Sequence, residues 1–404
     1  MEGMGSTKRL RVLIAGGGVA ALETALALRD LVGHRVELLL LAPEDRFVYR
    51  PLAVATPFGL GEAPQFELDA IASDLGSSRH RGALAAVDVE RRLAVTKDGE
   101  ELFYDVLVVA SGAEPEAALP GAFTYRGPED GATFTALLGE IEQGEASGVV
   151  FAMPSGVSWP LPLYELALFT AGRLVDWGSL AQLTVVTPEE SPLAVFGRTA
   201  SEAVERLLVS RDIDVRTSTH PVEVNRGTLS VVPEGIVAAD RVVALPRMRG
   251  RPPAGLPHDA NGFLPVDTHG RVGGLDNVYA AGDATSFPIK QGGIAAQQAD
   301  AVAEVIAAQI GGYGAPEKPA AFRPVLRGML LTGAGVRRMR ADVTGGHGDS
   351  SDVSTEMLWC PDGKIAARYL SHYLARRAEP VQPAKPLPPG AIPVDVMLAA
   401  AGAE

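Results

Sequence analysis

Apolar residues in this chain gather in short, nearly unbroken runs, each followed by a glycine-bearing turn and then a longer amphipathic stretch. The first run is Leu10–Ala15 and the second is Val36–Leu41, interrupted only by Glu37. A strand covered on both faces needs no polar alternation, so both read as buried parallel strands. A glycine turn and a helix over about 19–31 lie between them, which makes one βαβ unit.

Residues 66–98 read as short alternating strands, with Leu84–Val89 and Arg92–Thr96 flanking a charged turn. Tyr104–Ala110 is a further strand that ends at Ser111-Gly112. The pattern then repeats: a strand at 149–153, a helix at 163–175, a strand at 183–187, a helix at 199–210 and a strand at 214–217. A strand at 241–245 closes this second block, and the basic, proline-rich stretch 247–257 reads as a linker or surface loop. Asn277–Asp283 reads as a strand running into a turn, followed by an alanine-rich helix over about 292–310. After a loop at 311–319 comes a smaller unit over 320–377, within which 344–354 reads as a mobile loop and 379–393 as an extended proline-rich tail. The fold class is therefore α/β: two Rossmann-like three-layer domains plus a small C-terminal unit.

Composition narrows this without changing it. With 404 residues, more than one core is expected. A net charge of -13 disfavours nucleic acid and anionic membrane surfaces as partners, because both reward clustered Lys and Arg. No apolar run approaches the ~18 residues that an integral membrane segment needs, so the expected place is cytoplasmic, or peripheral at a membrane. The single cysteine, Cys360, permits no intrachain disulfide, and the seven histidines show no metal-ligand spacing, so no metal is expected.

The chemistry begins at the first turn. Gly16, Gly18 and Ala21 match G-x-G-x-x-G/A between a strand and a helix. The first glycine permits the tight turn, the second lets the backbone reach a pyrophosphate, and the small third residue lets the helix pack on the strand. The helix N-terminus, around Val19 and Ala20, then offers free N–H groups to phosphates. The acid expected for ribose is off pattern: near Ala42 the chain reads Leu41-Ala42-Pro43-Glu44-Asp45. Glu44 reaches the ribose, a backbone group serves instead, or both acids are solvated loop charges.

Two later runs carry a family resemblance. Tyr104-Asp105-Val106-Leu107-Val108-Val109-Ala110-Ser111-Gly112-Ala113-Glu114-Pro115 resembles the Y-D-x-L-x-x-A-T/S-G-x-x-P strand of flavoproteins with two dinucleotide-binding domains, the pyridine nucleotide-disulfide oxidoreductase superfamily. Val278-Tyr279-Ala280-Ala281-Gly282-Asp283-Ala284 resembles their second FAD motif. Within that group, Phe47-Val48-Tyr49-Arg50-Pro51-Leu52 and Ser286-Phe287-Pro288-Ile289-Lys290-Gln291-Gly292-Gly293 are similar to segments of sulfide:quinone oxidoreductases and type II NADH dehydrogenases. The resemblance implies FAD as cofactor, in a discontinuous domain over 8–120 and 262–315. It also implies an NAD-like domain over 121–261 and a C-terminal domain with its tail over 316–404. It places Gly16, Gly18, Val19, Ala20, Ala21, Ala42, Glu44, Arg50, Pro51, Ala110, Ser111, Gly112, Gly282, Asp283, Lys290, Gly293 and Ile294 around the cofactor. It puts Lys290 close to the flavin or acceptor site.

The chain also departs from that family. The second βαβ unit lacks its glycine motif and reads Met153-Pro154-Ser155-Gly156-Val157-Ser158-Trp159-Pro160-Leu161-Pro162. Three prolines there remove N–H groups that a pyrophosphate needs. The redox cysteine pair of the sulfide-oxidising relatives is missing: Trp159 stands in one slot, and Arg327-Gly328-Met329-Leu330 covers the other. One thiol cannot form a dithiol relay. Trp159 shapes a substrate pocket or packs between domains, and Glu165 is a candidate base or a residue favoured by the helix dipole. Arg323, Arg327, Arg337, Arg338 and Arg340 alternate with apolar residues, as on a solvated helix face, a basic membrane face or a quinone-site rim.

The expected function is an FAD-dependent oxidoreductase, with a small-molecule electron donor and a quinone or other carrier as acceptor. An NAD(P)H:quinone reductase and a non-catalytic flavin-binding protein are the rival readings. The oligomeric state is left open, with a homodimer as one candidate.

Overall fold

A computed structural model describes residues 9–233, 235–311, 314–343 and 351–378. Its first sheet is five-stranded and parallel, in the order Val278–Ala280, Val106–Val109, Leu10–Ala15, Val36–Leu41, Ser78–His80. One of its strands thus comes from beyond the whole second block of the chain. Val12, Leu13 and Ile14 are fully buried, as a central parallel strand requires. The helices Val19–Val32 and Gly292–Ile310 pack on each other against this sheet. Small buried residues, among them Ala21, Ala25, Ala296, Ala299 and Ala303, let the two backbones come close.

The second sheet is also five-stranded and parallel, in the order Phe123–Thr124, Arg241–Ala244, Gly148–Ala152, Gln182–Val186, Ile213–Arg216. The strand at 241 therefore lies inside the sheet rather than at its edge. The two-residue strand outside it is too short to leave a periodic signal.

Three other readings need correction. The stretch 247–257 is not all loop, because Arg247–Gly250 pairs antiparallel with Ala113–Glu116. Its arginines point to solvent while its backbone completes a ladder, so a basic composition concealed a strand. The helix Leu68–Asp74 interrupts the run of short strands expected over 66–98. The arginine-rich C-terminal stretch is not helical: Val325–Leu331, Val336–Asp342 and Ser351–Ser354 form an antiparallel sheet. Arg338, Met339, Arg340 and Ala341 alternate with the period of two that a strand imposes, although Arg337 beside Arg338 breaks it. Residues 344–350 and the tail 379–393 lie outside the described residues. Among the described residues, no helix is long and apolar enough to cross a membrane.

Candidate functional site

A cavity of about 800 Å³ opens where the two sheets and the C-terminal unit meet. Its floor is the first glycine turn. Gly16 has φ +142°, and a side chain there would collide with the carbonyl oxygen of Ala110. That position accepts only glycine. A Cβ on Gly18 would meet nothing within 4 Å, because that side of the turn faces the cavity. Gly18 also caps the helix Val19–Val32 without any side-chain bond to its free N–H groups.

The two acids after the second strand separate clearly. Asp45 pairs with Arg79 at 3.3 Å and Arg81 at 3.0 Å. Glu44 lines the cavity, with Oε2 3.6 Å from where a Gly17 Cβ would stand. Arg50, Pro51, Ala110, Ser111 and Gly112 line the same space. The Ser111 hydroxyl is buried with no partner.

Gly282, Asp283 and Lys290 close another side. The Lys290 Nζ donates to the Thr285 carbonyl and sits 3.7 Å above the Phe263 ring. Burial pushes this ammonium down to about 8, against the opposing pull of Asp283. Burial raises the Asp283 carboxyl, and Lys290 opposes that shift. The helix Gly292–Ile310 starts at the cavity wall. Its cap, the Gln291 side chain, accepts from the Ile294 N–H at 2.9 Å and donates to the Arg327 carbonyl at 3.1 Å.

Four expected cofactor residues stand behind the wall rather than in it. Ala21 and Ile294 are core residues, Ala42 backs Gly17, and Gly293 lies under the Gln291 side chain. Glu165 does not reach the cavity either. It is fully buried, and its two oxygens lie 2.7 and 2.6 Å from the Lys364 Nζ. It also accepts from the Leu331 N–H at 2.8 Å. Burial raises its carboxyl, while the Lys364 charge and these bonds lower it. The base suggested by its place near the helix start is thus half of an internal ion pair. Lys364 is the member that lines the cavity, and it also donates to the Pro51 carbonyl at 2.9 Å. Nothing in the sequence singles out Lys364, because its meaning depends on a partner far away in the chain.

The comparisons bear on this arrangement. Residues 165–303 match the family model for pyridine nucleotide-disulphide oxidoreductases. The demethylphylloquinone reductase NdbB of Synechocystis is 26% identical over 368 residues, covering 81% of this chain and 88% of that protein. An alternative NAD(P)H-ubiquinone oxidoreductase C1 of Arabidopsis thaliana is 26% identical over 333 residues, covering 71% and 63%. The solved sulfide:quinone oxidoreductase of Aquifex aeolicus superposes with a TM-score of 0.77 at 21% identity, covering 85% and 86%. Over residues 165–303 this chain is similar to the pyridine nucleotide-disulphide oxidoreductases.

This oxidoreductase is FAD-dependent. Its cavity fits the group on three observations: the open side of Gly18, the unpartnered Ser111 hydroxyl, and the start of the helix Gly292–Ile310 at the wall. The second block of this flavoprotein offers much less to a nucleotide. Between Gly148–Ala152 and the helix Leu161–Trp177, the chain makes a long turn around Gly156, with Pro160 at the cap and Pro162 inside the first turn. Neither proline has an N–H to give. A Rossmann unit holds ribose with an acid that follows its second strand. Here the acid after Gln182–Val186 is Glu189, and it is turned inward. It accepts from the Tyr164 hydroxyl at 2.5 Å and the Thr187 hydroxyl at 3.1 Å, and burial raises its carboxyl. Val157, Ser158 and Trp159 of the turn instead line the first cavity. Among the described residues, no group of His, Cys, Asp and Glu could hold a metal.

Proposed function

We propose that this flavoprotein takes electrons from a small donor other than NAD(P)H and passes them to a quinone or another carrier. The observation that carries the reading is the second turn: prolines replace its N–H donors, and Glu189 is bonded to Tyr164 and Thr187. The FAD domain would comprise 8–120 and 262–315, with 121–261 as a scaffold and 316–404 as the C-terminal unit. The quinone acceptor is supported by the printed activities of two relatives, a demethylphylloquinone reductase and an NAD(P)H-ubiquinone oxidoreductase. The working place in this reading is the cytoplasm or the periphery of a membrane.

Gly16, Gly18, Val19, Ala20 and Glu44 would hold the adenosine and pyrophosphate half of FAD. Arg50, Pro51, Ala110, Ser111, Gly112, Gly282, Asp283 and Lys290 would hold the rest. When bound, the group supplies two-electron redox chemistry. The charge on Lys290 and the N-terminal end of the helix Gly292–Ile310 favour negative charge at the cavity wall. Lys364 holds a proton at Nζ beside the same wall, with Glu165 as its counter-ion. A relay of two thiols is not available to a chain with one cysteine.

The alternative, NAD(P)H as donor through a rearranged turn at 154–160, is favoured by the named donor of the Arabidopsis relative. Titration calorimetry of the FAD-loaded protein with NADH and NADPH separates the two. The proposal expects no saturable heat, and micromolar binding of either nucleotide contradicts it.

A further inference from the structure

The two places where sulfide-oxidising relatives would carry cysteines are filled here by one interlocked aromatic wall. Trp159, in the turn after Gly148–Ala152, packs edge to face on Phe196, with ring centroids 5.8 Å apart and planes at 65°. Phe196 is fully buried, in the short 3-10 helix Ala194–Phe196. The tip of its ring ends on the Cα of Gly328 in the strand Val325–Leu331, where any Cβ would overlap Cζ. Three distant segments thus meet through one ring. Gly328 makes room for Phe196, Phe196 props Trp159, and the half-buried Trp159 presents its remaining surface to the cavity.

Around Trp159 the wall is mostly apolar, with Val157, Leu161, Met329 and Ile365 beside Ser158. Its one charged group is already satisfied. An ammonium has three N–H donors, and Lys364 directs its bonds to both Glu165 oxygens and the Pro51 carbonyl. The Lys364 ammonium therefore has no N–H left to select an anion or a phosphate. A rigid indole held at a set angle selects for flatness.

We infer that the Trp159–Phe196–Gly328 wall is a stacking site for a flat, uncharged aromatic molecule. Trp159 is the contact residue, and Phe196 and Gly328 are positioning residues. The inference deepens the donor reading above by naming a ligand class for the same cavity, and it involves binding alone.

The test uses FAD-loaded protein and two redox-quiet probes, 1-naphthol and its saturated, non-planar counterpart decahydro-1-naphthol. Binding is read from tryptophan fluorescence and from the shift of the flavin absorption band. The wild type is expected to bind 1-naphthol up to about tenfold more tightly than the saturated probe. Trp159→Ala is expected to abolish that preference and Trp159→Phe to keep most of it. Gly328→Ala, which drives Phe196 toward Trp159, is expected to reduce the preference at unchanged FAD content, with a lowered melting temperature. Equal affinity for the two probes in the wild type, or an undiminished preference in Trp159→Ala, overturns the inference. Trp159→Phe, which keeps an aromatic ring on Phe196, guards against a folding failure of the alanine variant. Binding of NADH would defeat the donor reading and leave this result untouched.

Discussion

Lys364 and Glu165, 199 residues apart in sequence, form a fully buried ion pair at 2.6–2.7 Å that ties three parts of the molecule together. Glu165 belongs to the helix Leu161–Trp177, Lys364 to the C-terminal unit, and the Pro51 carbonyl that Lys364 also holds to the first domain. Removing one member strands a buried charge, which costs about 3–5 kcal/mol, whereas replacing both with apolar groups of similar size is close to neutral. Lys364→Met is therefore expected to lower the urea midpoint sharply, and Glu165→Leu with Lys364→Met to recover most of the loss. A single variant as stable as the wild type would show that the pair does not hold these parts together.

The two glycines of the first turn are expected to fail in different ways. Gly16→Ala forces a side chain against the Ala110 carbonyl at φ +142°, so both folding yield and flavin content should fall. Gly18→Ala meets no protein atom and should fold normally while retaining at least tenfold less FAD. Flavin absorbance per mole of protein, alongside circular dichroism, checks both. Full flavin occupancy in Gly18→Ala would place the pyrophosphate elsewhere.

Glu23 and Asp300 give the stability a pH dependence. Glu23 is buried and accepts from the N–H groups of Tyr369 and Leu370, at 2.9 and 2.6 Å, at the start of the helix Leu370–Arg377. Burial and then the Glu23 charge push the Asp300 carboxyl up to about 8, with Arg368 opposing. An acid raised on folding keeps its proton in the folded chain while the unfolded chain loses it. Stability contributed by Asp300 is therefore present at low pH and declines as pH rises from the usual carboxylate range toward 8. Asp300→Asn is expected to flatten that decline in melting temperature between pH 5 and about 8. An identical slope in the variant would remove Asp300 from the explanation.

Lys290 is expected to shape the flavin's potential. Its ammonium, lowered to about 8 by burial, is charged below that pH and loses its proton above it. The positive charge favours the anionic reduced flavin, so the midpoint potential should fall more steeply above about pH 8 than in Lys290→Met. Parallel pH profiles for the two proteins would place Lys290 outside the flavin's field.

Much of the framework was legible because burial on both faces writes itself as apolar runs. The strand Leu10–Ala15 and the helix Gly292–Ile310 stand where the pattern puts them. The glycine turn was legible for a steric reason that local sequence carries. Other features depend on partners that no local pattern names. Phe123–Thr124 is a strand only because Arg241–Ala244 lies beside it, and Arg247–Gly250 only because Ala113–Glu116 does. At a helix start Glu165 reads as a base or as a residue favoured by the dipole, and only Lys364, from far along the chain, shows it to be half of an ion pair. Phe196 carried no signal at all, since its role rests on the missing side chain at Gly328.

The central claim is that the flavin's electrons do not come from a nicotinamide. Anaerobic stopped-flow mixing of the FAD-loaded protein with NADH, NADPH and sulfide in turn tests it most directly, through bleaching of the flavin band. The account predicts bleaching by NADH and NADPH that is too slow for turnover. Fast, saturable bleaching by either nucleotide would contradict it and make the protein an NAD(P)H-dependent reductase.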